Sequence, residues 1–137
     1  GWDRISVKNK EKLIINKVID SKECLEAISH SKVSLNVMPW FKRGAHDRVF
    51  NSMLNGAICV TDGSEYLFKE LSDEVCFYDL GCLDELPDKV NSVLTDKTSF
   101  KDMQTRAYEK AFLRHTWSAR ADVILGAIAD IYSERQK

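Results

Sequence analysis

Val33-Ser34-Leu35-Asn36-Val37, then Asp47-Arg48-Val49-Phe50-Asn51-Ser52-Met53-Leu54-Asn55-Gly56, then Ala57-Ile58-Cys59-Val60-Thr61 decide the fold. In the first run, Val33, Leu35 and Val37 alternate with Ser34 and Asn36, the period of a strand, and Pro39 then stops regular pairing. The chain runs on as a loop to about His46. From Asp47 the period changes: Val49, Phe50, Met53 and Leu54 form the inner stripe of a helix, and Gly56 suits its C-terminal stop. Arg48, Asn51 and Asn55 fall on the opposite or lateral side. Ala57 to Thr61 is an uninterrupted apolar run entering a turn at Asp62-Gly63, as expected of a central parallel strand buried on both faces.

Outward from this centre the alternation continues. Leu13 to Ile19 is a β-branched run that reads as a buried strand, and Asp20 with Glu23 three residues later resembles a capping box opening a helix over Ser21 to His30. Cys24, Leu25 and Ile28 form its apolar face. After the centre, Ser64 caps a short helix through Leu71, and Val75 to Tyr78 reads as a fourth strand. Asp84 to Leu94 reads as a helix that tolerates Pro87 in its first turn. Phe100, Met103, Ala107 and Ala111 mark one terminal helix, and Thr116 caps a second whose stripe is Trp117, Ala121, Ile124, Ile128 and Ile131. Strands alternating with helices imply βαβ units closing right-handedly onto a parallel sheet, an α/β fold with helices flanking the sheet. Two long helices after the last strand exceed what one small sheet needs, so one is expected to pack against a further domain.

At 137 residues and 44% hydrophobic, the chain suits one domain with one sizeable core. Twenty Lys plus Arg against 21 Asp plus Glu give a formal charge of −1, so no overall field draws nucleic acid or anionic lipid, and any anion site must be local. Cys24, Cys59, Cys76 and Cys82 show no zinc-site spacing and read as reduced core thiols of a cytoplasmic protein. No signal-peptide pattern or membrane-spanning run is present in the sequence. The opening Gly1-Trp2-Asp3-Arg4 lacks an initiator Met, so an upstream part is expected to be trimmed or missing.

In open α/β sheets, ligands collect at the carboxyl ends of the strands, where loops lead into helix N-termini and N–H groups point outward. Pro39-Trp40-Phe41-Lys42-Arg43-Gly44-Ala45-His46-Asp47-Arg48 occupies that place and gathers Lys42, Arg43, His46 and Arg48. Gly44 is expected to let the backbone approach a ligand closely. A diphosphate suits such a loop, and the dipole of the helix that follows adds roughly 0.3–1 kcal/mol. A cationic loop is also what a merely solvated loop looks like; position, straddling a strand end and a helix start, favours the site.

Asn51, one turn into the helix, reads equally as a ribose contact or as plain surface, whereas the surface reading is the better one for Asn55. Asp62, at the carboxyl edge of the central strand, could meet a sugar or phosphate, although turn chemistry explains it without a ligand. His46 fits a phosphate donor better than a general acid or base, because no second catalytic partner is evident. His30 and His115 end helices, where a cation complements the dipole. Trp40 and Phe41 suit base stacking or packing equally.

Ser31-Lys32-Val33-Ser34-Leu35-Asn36-Val37, His46-Asp47-Arg48-Val49-Phe50-Asn51-Ser52-Met53-Leu54-Asn55-Gly56, Val60-Thr61-Asp62 and the closing His115-Thr116-Trp117-Ser118-Ala119-Arg120 together resemble the C-terminal half of a GT-B glycosyltransferase. More narrowly they resemble the group related to the spore maturation protein CgeB, over about Leu13 to Leu125. The resemblance implies that residues 1–137 are one partial, Rossmann-like C-terminal domain of a larger glycosyltransferase, inactive alone, which binds a nucleotide-diphosphate sugar while a missing N-terminal domain holds the acceptor. It implies diphosphate contacts from Arg43, Gly44, Ala45, His46 and Arg48, nucleoside or sugar contacts from Asn51, Asp62 and Pro39, and no tightly bound metal. Many members of the broader family carry two glutamates separated by seven residues. Arg43 and Asn51 stand at those places here, a departure that fits either a divergent donor or a domain that has lost activity. The competing reading is a non-catalytic α/β module that binds a nucleotide or a protein partner through the basic loop.

Overall fold

The computed structural model describes residues 18–135. Along them run helix α1 (Ser21–Ser29), strand β1 (Val33–Asn36), helix α2 (Asp47–Leu54), strand β2 (Ile58–Asp62), helix α3 (Glu65–Glu70) and strand β3 (Cys76–Tyr78). A 3-10 turn (Leu83–Glu85) leads into α4 (Leu86–Thr95), followed by α5 (Lys97–Arg114) and α6 (Trp117–Glu134). The strand expected from Leu13 to Ile19 lies mostly outside the described residues. Its last two, Val18 and Ile19, are exposed and belong to no helix or strand.

The helix starts follow from local chemistry. Asp20 accepts the Glu23 N–H at 2.8 Å while the Glu23 carboxylate accepts the Asp20 N–H, so the reciprocal capping box forms as the sequence implies. Ser64, Asp96 and Thr116 each cap a helix through a side-chain oxygen, and Pro87 sits in the first turn of α4. Gly56 ends the α2 segment with φ 78°, a left-handed conformation that costs glycine nothing.

The three strands form one parallel sheet in the order β1-β2-β3, the α/β, Rossmann-like arrangement of parallel strands flanked by helices. β2 is central and all five of its residues are buried, which explains its unbroken apolar run. Its last residue is Asp62, which the sequence places in the turn. Val33 and Leu35 pair with Ile58 and Val60, and Ser34 and Asn36 with Cys59 and Thr61, so each set shares a face. On the second face Cys59 joins Val49 and Met53 of α2, Leu67 of α3, and Ala107 and Ala111 of α5 in the core.

Alternation misreads β1. Asn36 is fully buried, whereas Leu35 is 51% and Val37 49% exposed. Among the described residues β1 is an edge strand, and its polar set lies on the better covered face. The apolar stripe of α6 likewise fails to enter this chain's core: Trp117 is 93% exposed, Ile124, Ile128 and Ile131 are also exposed, and α6 has no buried residue. The helix begins beyond the sheet, past the Thr116 cap, so nothing among the described residues covers that stripe. Cys82 is exposed too, and the expectation of four core thiols fails there.

Candidate functional site

The carboxyl ends of β1 and β2 hold the Pro39 to Arg48 loop by a set of polar contacts. Asp62 accepts the buried Met38 N–H at 2.7 Å through Oδ1. Beyond β2, the Ser64 hydroxyl donates to the Gly44 carbonyl at 2.6 Å and the Glu65 N–H to the Lys42 carbonyl at 3.0 Å. Both crossover loops are thereby stitched together. Gly44 itself has no left-handed φ, and a Cβ there would lie 3.4 Å from Phe41 Cδ1, an ordinary contact. The backbone conformation therefore does not by itself demand glycine at this place.

Beneath the loop lies a layer of buried polar groups. Asn36 Nδ2 donates to Thr61 Oγ1 at 2.9 Å, Thr61 Oγ1 donates to the Asp62 carbonyl at 2.9 Å, and the Tyr78 hydroxyl donates to the Asn36 carbonyl at 3.1 Å. Arg48 Nη1 reaches Asn36 Oδ1 at 3.4 Å. Sequence reasoning passed over Asn36, Thr61 and Tyr78. The usable signal was their common place: each lies at or next to the carboxyl end of its strand, where a polar residue needs a partner.

His46 is the N-cap of α2, and its Nδ1 accepts the Arg48 N–H at 3.2 Å. The same Nδ1 lies 2.5 Å from Asp47 Oδ1. Only a protonated Nδ1 can donate to Asp47 and only a bare one can accept from Arg48, so the two contacts exclude one another. An anion arriving at this helix start meets positive dipole and guanidinium, but also the Asp47 carboxylate in the first turn.

The sequence-assigned residues divide among three concavities. His46, Arg48 and Asn51 come together with Asp47 in a groove of about 420 Å³ between the start of α1 and the first turns of α2, facing Ile19, Asp20 and Ser21. Pro39 and Asp62 share a cavity of about 490 Å³ at the sheet ends with Lys42, Tyr78 and Lys89. Ala45 lies in a third of about 420 Å³, against Phe50, His115 and Trp117, where Asn51 also reaches. Arg43 points away from all three; its side chain is 87% exposed and meets Glu65 at 3.7 Å.

Over residues 1–126 the sequence matches the model of a family described as glycosyl transferase-like. The chain belongs to that family. Membership supports glycosyl transfer as the general function of this glycosyltransferase-like chain. Neither the curated proteins nor the solved structures include a match to it.

Other placements bear on the glycosyltransferase-like site. Phe41 stands edge-on to His46 with ring centroids 6.2 Å apart, and Trp40 is exposed. Asn55 is half-buried and turns its Nδ2 to the Asn51 carbonyl at 2.8 Å, a local helix-end contact. His115 caps α5 as expected, but its surroundings disfavour the charged form that would complement the dipole. Burial, then the Arg120 guanidinium, push its pKa down, and it stacks on Phe50 at 4.5 Å with Nδ1 2.8 Å from Arg120 Nη2. Among the described residues no group of three His, Cys, Asp or Glu converges as a metal site, and no helix is long and apolar enough to cross a membrane.

Proposed function

We propose that this chain is the donor-binding domain of a GT-B glycosyltransferase of the CgeB-like group, holding a nucleotide-diphosphate sugar as co-substrate. The observation that carries the reading is the groove between α1 and α2, where His46, Arg48 and Asn51 converge at a helix N-terminus on the carboxyl side of a parallel sheet. In it the diphosphate lies against the Gly44 to Arg48 loop, with Arg43 closing from solvent, and Asn51 meets the ribose. The sugar extends toward Pro39 and Asp62 at the sheet ends.

Transfer separates the sugar from a nucleoside diphosphate on which charge grows. Arg48, His46 and the α2 dipole, in place before the reaction starts, would neutralise that charge, with Arg43 joining them from solvent. No step in this reading calls on a metal. The exposed apolar stripe of α6 fits a surface covered by the acceptor domain of the same protein, and we place the whole protein in the cytoplasm.

The test is a calorimetric titration with UDP, GDP and the matching monophosphates at moderate salt. Saturable binding of one diphosphate in preference to its monophosphate is the expected result, with loss in Arg48→Ala and His46→Ala at intact fold. A folded sample that binds none of the four would overturn the donor-site reading and favour a non-catalytic module.

A further inference from the structure

We infer that Asn36 is a positioning residue for anion binding, an amide whose orientation is fixed by Thr61 so that its oxygen holds the Arg48 guanidinium at the start of α2. The inference deepens the donor-site reading and rests on it.

The argument is one of proton accounting. Thr61 has one hydroxyl proton, which goes to the Asp62 carbonyl at 2.9 Å. Toward Asn36 its oxygen can therefore only accept, and the Asn36 group 2.9 Å away must be the NH₂. That leaves Oδ1 on the opposite side, facing Arg48 Nη1 at 3.4 Å. A flipped amide would take the Thr61 proton away from the Asp62 carbonyl and set NH₂ against a guanidinium that has no acceptor, so two contacts would be lost. Asn36 is fully buried and cannot turn to water. Its backbone is held as well, by the ladder to β2 and by the Tyr78 hydroxyl on its carbonyl. Three strands thus converge on one residue, and its side-chain amide presents one acceptor to one cation.

The arrangement matters because Arg48 is otherwise a surface side chain. Its residue is exposed, and its rotamers would spread the charge over a wide volume. Holding one guanidinium nitrogen on Asn36 keeps the cation beside the groove that Arg48 lines with His46 and Asn51. The Asn36 oxygen is neutral, so it orients the cation without cancelling the charge an anion would meet. A carboxylate at position 36 would orient Arg48 equally but offset that charge.

The probe is inorganic pyrophosphate, titrated calorimetrically into the full chain, with far-UV circular dichroism to establish folding. Arg48→Ala should weaken binding and so tests the underlying reading. Asn36→Ala should weaken it on the order of three- to tenfold, the scale of one ordinary hydrogen bond, because the 3.4 Å contact to Arg48 is long and acts on the ligand only through the guanidinium. It should add nothing in the Arg48→Ala background. Thr61→Val, which removes the acceptor that orients the amide, should repeat the Asn36→Ala effect, and Thr61→Ser should restore wild-type affinity. If Arg48→Ala binds as well as wild type, the diphosphate assignment fails and this inference with it. If Arg48→Ala is weak but Asn36→Ala is not, or Asn36→Ala costs the same factor with and without Arg48, the positioning role alone is wrong. Should Thr61→Val not fold, the Asn36→Ala and Arg48→Ala cycle decides.

Discussion

Replacing Asp62 by Ala would remove the carboxylate oxygen that accepts the Met38 N–H at 2.7 Å, at a place where both residues are buried. The donor is left without water or a second partner, a loss worth about 1–3 kcal/mol. The vacated volume adds to this, and relief from burying a carboxylate subtracts, so the net stays near the same range. With a urea m-value of about 1–3 kcal/mol/M for a domain of this kind, the unfolding midpoint should fall by roughly 1 M at unchanged m. Asp62→Asn keeps an acceptor for Met38 and should lose less than half as much. Amide exchange adds a local reading, since the Met38 N–H should lose protection in the Ala variant more than the N–H groups of β3. The reasoning is refuted if Ala shifts stability by less than about 0.5 kcal/mol, the scale of an ordinary surface change, or if Asn is as damaging as Ala.

Gly56→Ala forces an L side chain to φ 78° and sets its Cβ 3.2 Å from Gln104 Nε2, which donates to the Gly56 carbonyl; a loss of roughly 1–2 kcal/mol is expected by thermal unfolding, and an unchanged Tm would contradict it. Because burial and then Arg120 lower the His115 pKa from 6.5, the unfolded chain takes up this proton first as pH falls. Its contribution is therefore complete above the unfolded value and is lost as pH drops through the folded one. His115→Phe, which preserves the stack on Phe50, should flatten that part of the stability-against-pH curve, and an identical slope would show that His115 does not cause it. Burial pushes the Cys59 thiol up to about 12, whereas Cys82 is exposed; iodoacetamide at neutral pH should label Cys82 first and Cys59 only in denaturant, as mass spectrometry would read.

Local chemistry carried most of the fold. The Asp20 capping box, the Ser64 and Thr116 caps, the Gly56 stop and Pro87 in a first turn each act within four residues, and each is visible in the sequence. What was hidden depends on distant partners. Period-two alternation places Asn36 with the solvent-facing set, yet its partner Thr61 lies 25 residues on and Tyr78 42 residues on. His115 looks like a helix-end cation until Phe50 and Arg120 close around it. For the candidate site, the location at a strand end and helix start was legible, and so was the grouping of His46, Arg48 and Asn51. The separation of Arg43 was not, because it depends on Glu65 of α3 capturing a side chain whose backbone neighbour Gly44 is tied to Ser64.

The two bonds from Ser64 and Glu65 to the Gly44 and Lys42 carbonyls have a thermodynamic consequence for recognition. A free ten-residue loop would have to be ordered by its ligand, at roughly 1–2 kcal/mol of conformational entropy for each residue fixed. Here that ordering is completed when the chain folds, with the α3 start acting as a second anchor. Ligand capture should therefore proceed nearly as a rigid-body event, with a fast association rate and a small heat-capacity change. Breaking the Ser64 anchor should show first as slower association, while the ligand preference stays the same.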